Sequence, residues 1–166
     1  MITAFLAVIL LTGTDQFIKF WAVENLKGNE SKKFISFGDT DILNLTYLEN
    51  DGAMFGSFGG LRWILVSVTF ILMIFCVYYL IKHKSEKAVV VSMTLIVSGG
   101  IGNIIDRLFR GGLVVDYLDV QLFDFAVFNF ADCCVTIGAV LLLIYIIFFD
   151  KGSTLKKAES GETSNE

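Results

Sequence analysis

The stretch VFNFADCCVTIGAVLLLIYIIFF, residues 127–149, decides the fold class. After Asp132 it runs to Phe149 without a charged residue. The hydrocarbon core of a bilayer is about 30 Å thick, and roughly 20 helical residues cross it. The stretch therefore predicts a membrane-spanning helix. It also carries Asn129 and Asp132 near its start. An ionised carboxylate in a membrane-spanning segment costs free energy, so its presence there indicates a function or a buried partner.

The composition of the whole chain is that of an integral membrane protein. Of its 166 residues, 55% are hydrophobic and only 18% are charged. A soluble domain of this length would not carry so apolar a surface. The net charge of −4 gives no reason to expect nucleic acid as a partner. The three cysteines make no disulfide framework, and all three are expected to be buried small hydrophobes: Cys76, Cys133 and Cys134.

Four apolar ranges predict four transmembrane helices and hence an all-α membrane protein. They cover about residues 2–20, 63–81, 88–105 and 126–149. Residues 23–60 are expected to form a small extracytoplasmic segment that contains a β-strand, because ILNLTYL at 42–48 alternates as strands do. NDGAMFG at 50–56 offers turn residues after it. Residues 1–150 would form one domain, and the polar tail 151–166 is predicted to be disordered.

Basic residues predict the orientation. The connection KHKSEK at 82–87 holds three lysines, and so does the tail after Phe149. Because lysine-rich connections stay on the cytoplasmic side, both termini are predicted to be cytoplasmic. The lysines of the segment between the first two helices are accompanied by six acidic residues: Glu24, Glu30, Asp39, Asp41, Glu49 and Asp51.

Polar residues gather at one level of this predicted bundle, toward its outer face. They are Asp15, Lys19, Asn103, Asp106, Arg107, Asn129 and Asp132, with Asp116 in the connection nearby. Residues three or four apart share a helix face, so each helix presents one polar stripe, which turns toward the bundle interior or a wet cavity. The glycines of SGGIGN at 98–103 would let another backbone approach closely. One pair such as Asp15 and Lys19 could simply join helices, whereas the whole set indicates a functional site. Arg110 and Asp119 are expected to be solvated loop charges.

The cluster contains carboxylates, amides and cations but little nucleophile machinery. The single histidine, His83, falls in the cytoplasmic connection, which argues against serine–histidine, cysteine–histidine and histidine-ligated zinc chemistry. Two partly desolvated carboxylates that lie close together share one proton. The ionised member can deprotonate a water for attack on a carbonyl, while the other protonates the oxyanion, without metal or cofactor. Asp132 is one half of such a pair, and Asp106, Asp116 or Asp15 could be the other.

Five motifs follow one another along the chain: TDQFIK (14–19), ENDGAMFG (49–56), GGIGNIIDR (99–107), VVDY (114–117) and FNFAD (128–132). In this order they resemble lipoprotein signal peptidase, the bacterial signal peptidase II family of intramembrane aspartic proteases. The resemblance covers nearly the whole chain. It implies a multi-pass enzyme of the bacterial cytoplasmic membrane with its active site near the outer face. Such an enzyme cleaves prolipoproteins on the N-terminal side of a diacylglyceryl-modified cysteine.

The resemblance also implies roles for individual residues. Asp116 and Asp132 would be the catalytic dyad, which makes Asp106 a supporting residue. Supporting or substrate-binding roles are implied for Asp15, Lys19, Asn50, Gly52, Asn103, Asp106, Arg107 and Asn129. The implied partners are prolipoproteins, membrane lipids and the cyclic peptide globomycin, which inhibits the family by occupying this site. Cysteines after FNFAD, at Cys133 and Cys134, depart from the family pattern without touching the dyad chemistry.

Two other classes of protein compete with a peptidase. Buried Asp, Asn and Arg also line the pathways of small proton- or ion-coupled transporters. However, polar residues do not continue through the inner half of any predicted span. A non-catalytic scaffold, in which the polar residues merely join helices, is the third possibility. Asparagine at each dyad position would abolish cleavage in a peptidase and would be tolerated in a scaffold.

Overall fold

The computed structural model describes residues 1–52 and 61–150. Its elements are α1 (Ile2–Leu26), β1 (Lys32–Phe37), β2 (Thr40–Asn50), α2 (Leu61–Lys82), α3 (Lys87–Phe109), β3 (Val114–Val120) and α4 (Phe130–Tyr145), which a π-helical turn continues (Ile146–Asp150). In this part of the chain four helices are long and apolar enough to cross a membrane. The predicted four-helix fold with a small β-containing segment is therefore confirmed. The turn predicted at 53–56 and the tail 151–166 lie outside the described residues.

Helix α3 is the centre of the bundle, and each of the other three helices packs against it. In its most apolar stretch 56% of the residues are buried, compared with 6–17% in the corresponding stretches of the other helices. Glycine makes this packing close. A Cβ at Gly99 would overlap the carbonyl oxygen of Ala131 in α4, and a Cβ at Gly138 would come within 2.7 Å of the Ser92 carbonyl oxygen. The missing side chains let α3 and α4 touch backbone to backbone.

The outer faces of the helices remain apolar and uncovered, as a lipid-facing surface requires. In the described part of α2 the buried apolar residues are Cys76 and Leu80, while large side chains such as Phe70 and Phe75 are more than half exposed. The expectation that all three cysteines are buried holds for two of them. Cys133 is only half-buried, because it lines a groove between α4 and the connection that precedes it.

A three-stranded antiparallel sheet in the order β1-β2-β3 lies at one end of the bundle. The sequence predicted strand structure only between α1 and α2, and β3 is an addition from the connection between α3 and α4. Its residues pair with β2 from Leu43 to Asn50, in a register that sets Leu48 opposite Asp116 and Asn50 opposite Val114. Val115 and Tyr117 pack on the C-terminal end of α1. The sheet thus joins both connections at this end and fixes the position of the residues that β3 carries.

Candidate active site

A fully buried lysine joins α1 to α3 beneath the sheet. The Lys19 ammonium lies 3.0 Å from an oxygen of Asp15 and 3.0 Å from an oxygen of Asp106. It also donates to Asn103 Oδ1 at 2.9 Å. All three charged side chains are at most 1% exposed. A buried charge is tolerated only when it is paired and hydrogen-bonded, and here one cation serves two carboxylates.

The same two carboxylates hold the backbone beside two further acids. Asp106 Oδ2 accepts the N–H of Val115, and Asp15 Oδ1 accepts the N–H of Ala131, both at 3.1 Å. Val115 immediately precedes Asp116, and Ala131 immediately precedes Asp132. The buried ion cluster therefore fixes the main chain at the residue before each of these acids.

Asp116 lies on β3 with its side chain 1% exposed. Its Oδ1 accepts from Asn129 Nδ2 at 2.6 Å and its Oδ2 accepts from Asn50 Nδ2 at 2.8 Å. Burial raises the pKa of Asp116 to about 6, although the two amide hydrogen bonds lower it; the negative charge of Asp132 contributes to the rise. The two acids are therefore close enough to interact electrostatically.

The amide of Asn50 is oriented by the turn that follows β2. Asn50 Oδ1 accepts the N–H of Gly52 at 2.8 Å, which leaves the amide nitrogen directed at Asp116. Gly52 has a φ of +75°, a conformation that side chains with a Cβ rarely adopt. A Cβ there would also lie 2.5 Å from a methyl of Leu65 in α2. Glycine at this position thus permits the turn that aims Asn50.

Asp132 lies in the first turn of helix α4 and forms a capping box with Asn129, which accounts for polar residues at the start of an apolar helix. Asn129 Oδ1 accepts the N–H of Asp132, and Asp132 Oδ2 accepts the N–H of Asn129, both at 3.1 Å. The first turn of a helix has unpaired N–H groups and a positive dipole end, and both favour a carboxylate. Asp132 Oδ1 accepts from Asn103 Nδ2 at 2.8 Å.

One side chain, that of Asn129, contacts both acids. Its amide nitrogen donates to Asp116 and, at 3.2 Å, to Asn103 Oδ1, while the residue caps α4 together with Asp132. Asn103 in turn accepts from Lys19. The network is therefore continuous from the ion cluster to the two acids.

Arg107 lies at the edge of this network and is half-buried. Its Nη1 is 3.5 Å from the carbonyl oxygen of Asn103, and its charge interacts with those of Asp132 and Asp116. Its Nε has no hydrogen-bond partner among the described residues. The guanidinium therefore has an unused donor at a buried atom, and the side chain lines a cavity together with Asp132.

The structure thus brings the sequence-predicted residues together, with Gly52 and Arg107 at the margin. Of the three acids considered as partners of Asp132, Asp15 and Asp106 are ion-paired with Lys19, and Asp116 shares Asn129 with Asp132. Among the described residues no group of three or more His, Cys, Asp or Glu side chains is arranged to hold a metal ion.

Sequence reasoning missed two members of the cluster. Gln16 Nε2 donates to Asp15 and Asp106 at 3.1 and 3.2 Å. The expectation that Arg110 is a solvated loop charge was wrong, because its Nε lies 3.2 Å from Asp106 Oδ1. The spacing of four residues between Asp106 and Arg110 was the available signal. Asp119, also expected to be solvated, accepts from the Thr46 hydroxyl at 2.9 Å.

Comparison with known proteins places this fold and site in a family. The family profile described as "Signal peptidase (SPase) II" matches residues 7–148. A lipoprotein signal peptidase of Clostridioides difficile (strain 630) is 40% identical over 148 residues, which are 89% of this chain and 97% of that protein. A lipoprotein signal peptidase of Streptococcus pyogenes serotype M1 is 41% identical over 140 residues, which are 84% of this chain and 89% of that protein.

A solved structure titled "Bacterial membrane enzyme structure by the in meso method at 1.9 A resolution" superposes with a TM-score of 0.79 at 31% identity, covering 90% of this chain and 95% of that one. A second, of the same kind at 2.3 Å resolution, gives a TM-score of 0.76 at 30% identity, covering 100% and 94%. Fold and relatives define a multi-pass bacterial membrane peptidase. The chain belongs to the signal peptidase II family, as the five motifs implied.

Proposed function

We propose that this protein is an aspartic endopeptidase that removes signal peptides from diacylglyceryl-modified prolipoproteins, with Asp116 and Asp132 as the catalytic dyad. The relatives named lipoprotein signal peptidase support the substrate class. One observation carries the catalytic assignment. Asn129 donates to the Asp116 carboxylate and forms a reciprocal capping box with Asp132, so a single residue holds both acids.

The two acids divide the work through one shared proton. Asp116 is buried on β3 with a pKa raised to about 6, so it is the member assigned the proton. Asp132 accepts hydrogen bonds only from N–H groups, of Asn103 and of the Asn129 backbone, which suits an ionised carboxylate. Because the groups interact, the measured pKa values will belong to the pair.

In the proposed reaction the ionised Asp132 takes a proton from a water molecule, and the water oxygen attacks the scissile carbonyl carbon. Asp116 gives its proton to the carbonyl oxygen, which yields a neutral tetrahedral diol. The carbon–nitrogen bond then breaks. Asp132 returns its proton to the leaving amine, and a diol hydroxyl returns a proton to Asp116, which restores the dyad.

The remaining residues of the cluster are assigned positioning roles. The ion cluster around Lys19 fixes the backbone before each acid, and Asn50 with Gly52 orients the Asp116 carboxylate. Asn103 holds Asp132. The free donor capacity of Arg107 suits a backbone carbonyl or lipid ester oxygen of the substrate.

The lysines of the α2–α3 connection support an orientation with both termini in the cytoplasm. The sheet and the two acids, at the opposite end, would then lie near the outer membrane face. A signal peptide is an apolar helix in the bilayer, and its cleavage site emerges at that level. Globomycin is expected to compete for the same position.

The test is cleavage of a purified diacylglyceryl-modified precursor by the purified protein in detergent, followed by gel shift and mass spectrometry. We expect Asp116→Asn and Asp132→Asn each to lower kcat by about a thousandfold. Asp119→Asn, on the same strand as Asp116 but outside the network, is the matched control and should cleave normally. Globomycin should block the wild type. A dyad variant that folds and retains activity would contradict the assignment, and equal cleavage of an unlipidated precursor would contradict the substrate class.

A further inference from the structure

Two grooves reach Asp132 from different sides of α4. The first, about 250 Å³, lies between α2, α3 and α4, and its walls include Leu72, Asn103 and Arg107. The second, about 360 Å³, lies between α4 and the connection that precedes it. It is lined by Phe125, Phe128, Asp132, Cys133, Thr136 and Ile137. Two parts of a substrate bound at Asp132 could therefore extend from the site along different grooves.

The two grooves differ in chemistry. The first contains hydrogen-bonding groups that suit a peptide, namely the Asn103 amide and the Arg107 guanidinium with its unpartnered Nε. The second has no charged group in its lining except Asp132 at its end. Its other walls are aromatic and aliphatic, with one hydroxyl and one thiol.

The floor of the second groove follows α4 into the membrane. Asp132 with Thr136, and Cys133 with Ile137, are four residues apart and share helix faces. At 1.5 Å per residue the floor descends about 7 Å from Asp132 to Ile137. Ile137 is 53% exposed, so the groove opens sideways toward lipid.

The upper wall of the second groove contains two aromatic rings, Phe125 and Phe128, which meet edge to face at 5.8 Å between ring centroids. Phe123, outside the groove lining, supports Phe125 edge to face at 5.9 Å. The backbone of Phe128 exchanges hydrogen bonds with that of Leu118 on β3, at 2.8 and 3.0 Å. The wall is thereby attached to the strand that carries Asp116.

We propose that the second groove holds an acyl chain of the substrate's diacylglyceryl group. This inference rests on the proposed function, in which a peptide lies on one side of the scissile bond and a lipidated cysteine on the other. The groove is apolar, is continuous with Asp132 and opens to the bilayer, as an acyl chain that stays attached during cleavage requires. The donors of the first groove suit the peptide side.

The contribution of such a groove is steric rather than hydrophobic. An acyl chain in the bilayer is already in an apolar medium, so entering the groove gains packing and position but little transfer free energy. A bulky residue on the groove floor should therefore discriminate against long chains while a short chain still fits.

The experiment compares one precursor carrying either a dioctanoyl or a dipalmitoyl glyceryl group. Ile137→Trp narrows the second groove at a lipid-exposed position, and it should raise the ratio of KM for the dipalmitoyl to the dioctanoyl substrate about tenfold. Ile144→Trp is the matched control, since Ile144 is on the same helix, 44% exposed and outside both grooves. It should leave the ratio unchanged. If Leu72→Trp raises the ratio and Ile137→Trp does not, the acyl chain occupies the first groove and the inference is wrong.

Cys133 offers a second readout in the same groove, with two buried thiols, Cys76 and Cys134, as internal controls. In the Asp116→Asn variant the diacylglyceryl precursor should slow alkylation of Cys133 by N-ethylmaleimide, mapped by peptide mass spectrometry. The unlipidated precursor should not. Equal alkylation with both precursors would overturn the inference. If the wild type cleaves neither substrate, it is the proposed function that fails.

Discussion

Replacing Asp116 by asparagine measures how much the ionisation of this buried carboxyl destabilises the fold, independently of its role in catalysis. The carboxyl is 1% exposed and its pKa is raised from the ordinary 3.8 to about 6, chiefly by burial. A folded protein with a raised carboxyl pKa binds the proton more tightly than the unfolded chain does. The stability that this provides is present below pH 4 and is lost as the pH rises from about 4 to about 6.

The magnitude follows from the pKa. A rise from 3.8 to about 6 corresponds to about 3 kcal/mol, at about 1.4 kcal/mol per pKa unit. Asparagine cannot ionise, so the variant avoids this loss. Its amide replaces one acceptor oxygen facing Asn50 or Asn129, which costs about 1–3 kcal/mol at every pH. The variant should therefore be less stable than the wild type at pH 4 and about equal to it at pH 8.

The assay is thermal unfolding in detergent between pH 4 and pH 8 for both proteins. For a chain of this length, 1 kcal/mol corresponds to about 2–4 °C in Tm, so the difference in Tm should change by about 6–12 °C across that range. Asp119→Asn, at a less buried position of the same strand, should run parallel to the wild type. If the Asp116→Asn curve also runs parallel, the carboxyl does not titrate near pH 6 in the fold, and its assignment as the proton-bearing member of the dyad is refuted.

Three other perturbations and one pH profile test the surrounding network. Because Asp116 must be protonated to act, kcat/KM should fall above an apparent pKa of about 6 in the wild type, and a profile flat from pH 5 to pH 8 would contradict that role. Lys19→Met should cost about 3–5 kcal/mol, because it leaves the buried Asp15 carboxylate without an ion-pair partner and leaves Asp106 paired only with Arg110; a Tm within a degree of the wild type would argue against this. Gly99→Val should separate α3 from α4, because even its Cβ overlaps an α4 carbonyl, and should lower both Tm and kcat. Tyr145→Phe removes the 2.6 Å hydrogen bond to Glu86 at the opposite end of the bundle; Tm should fall with a loss of about 1 kcal/mol, while peptidase activity stays unchanged.

The sequence by itself predicted the features of this protein that depend on local pattern. Predominantly apolar runs of about twenty residues indicate membrane helices, and the four helices lie at such runs, α1 despite its Asp15 and Lys19. Because successive membrane helices alternate in direction, polar residues near the C-terminal ends of α1 and α3 and near the N-terminal end of α4 come to the same end of the bundle. The spacing of Asn129 and Asp132, three apart, likewise placed them on one face at the start of α4, whereas their capping box was not predicted.

Which groups from separate elements meet depends on the packing of the folded chain. Spacing left three acids as possible partners of Asp132, and the family resemblance chose among them. The contact of Asp116 with Asn129 exists because β3 pairs with β2 in one register, and a strand there was not predicted. The expectations for Arg110 and Cys133 were also wrong, because Arg110 forms an ion pair with Asp106 and Cys133 lines a groove instead of the core. Hydropathy and helical spacing are properties of a single segment, whereas distances between segments arise from packing and strand register, which no single segment encodes.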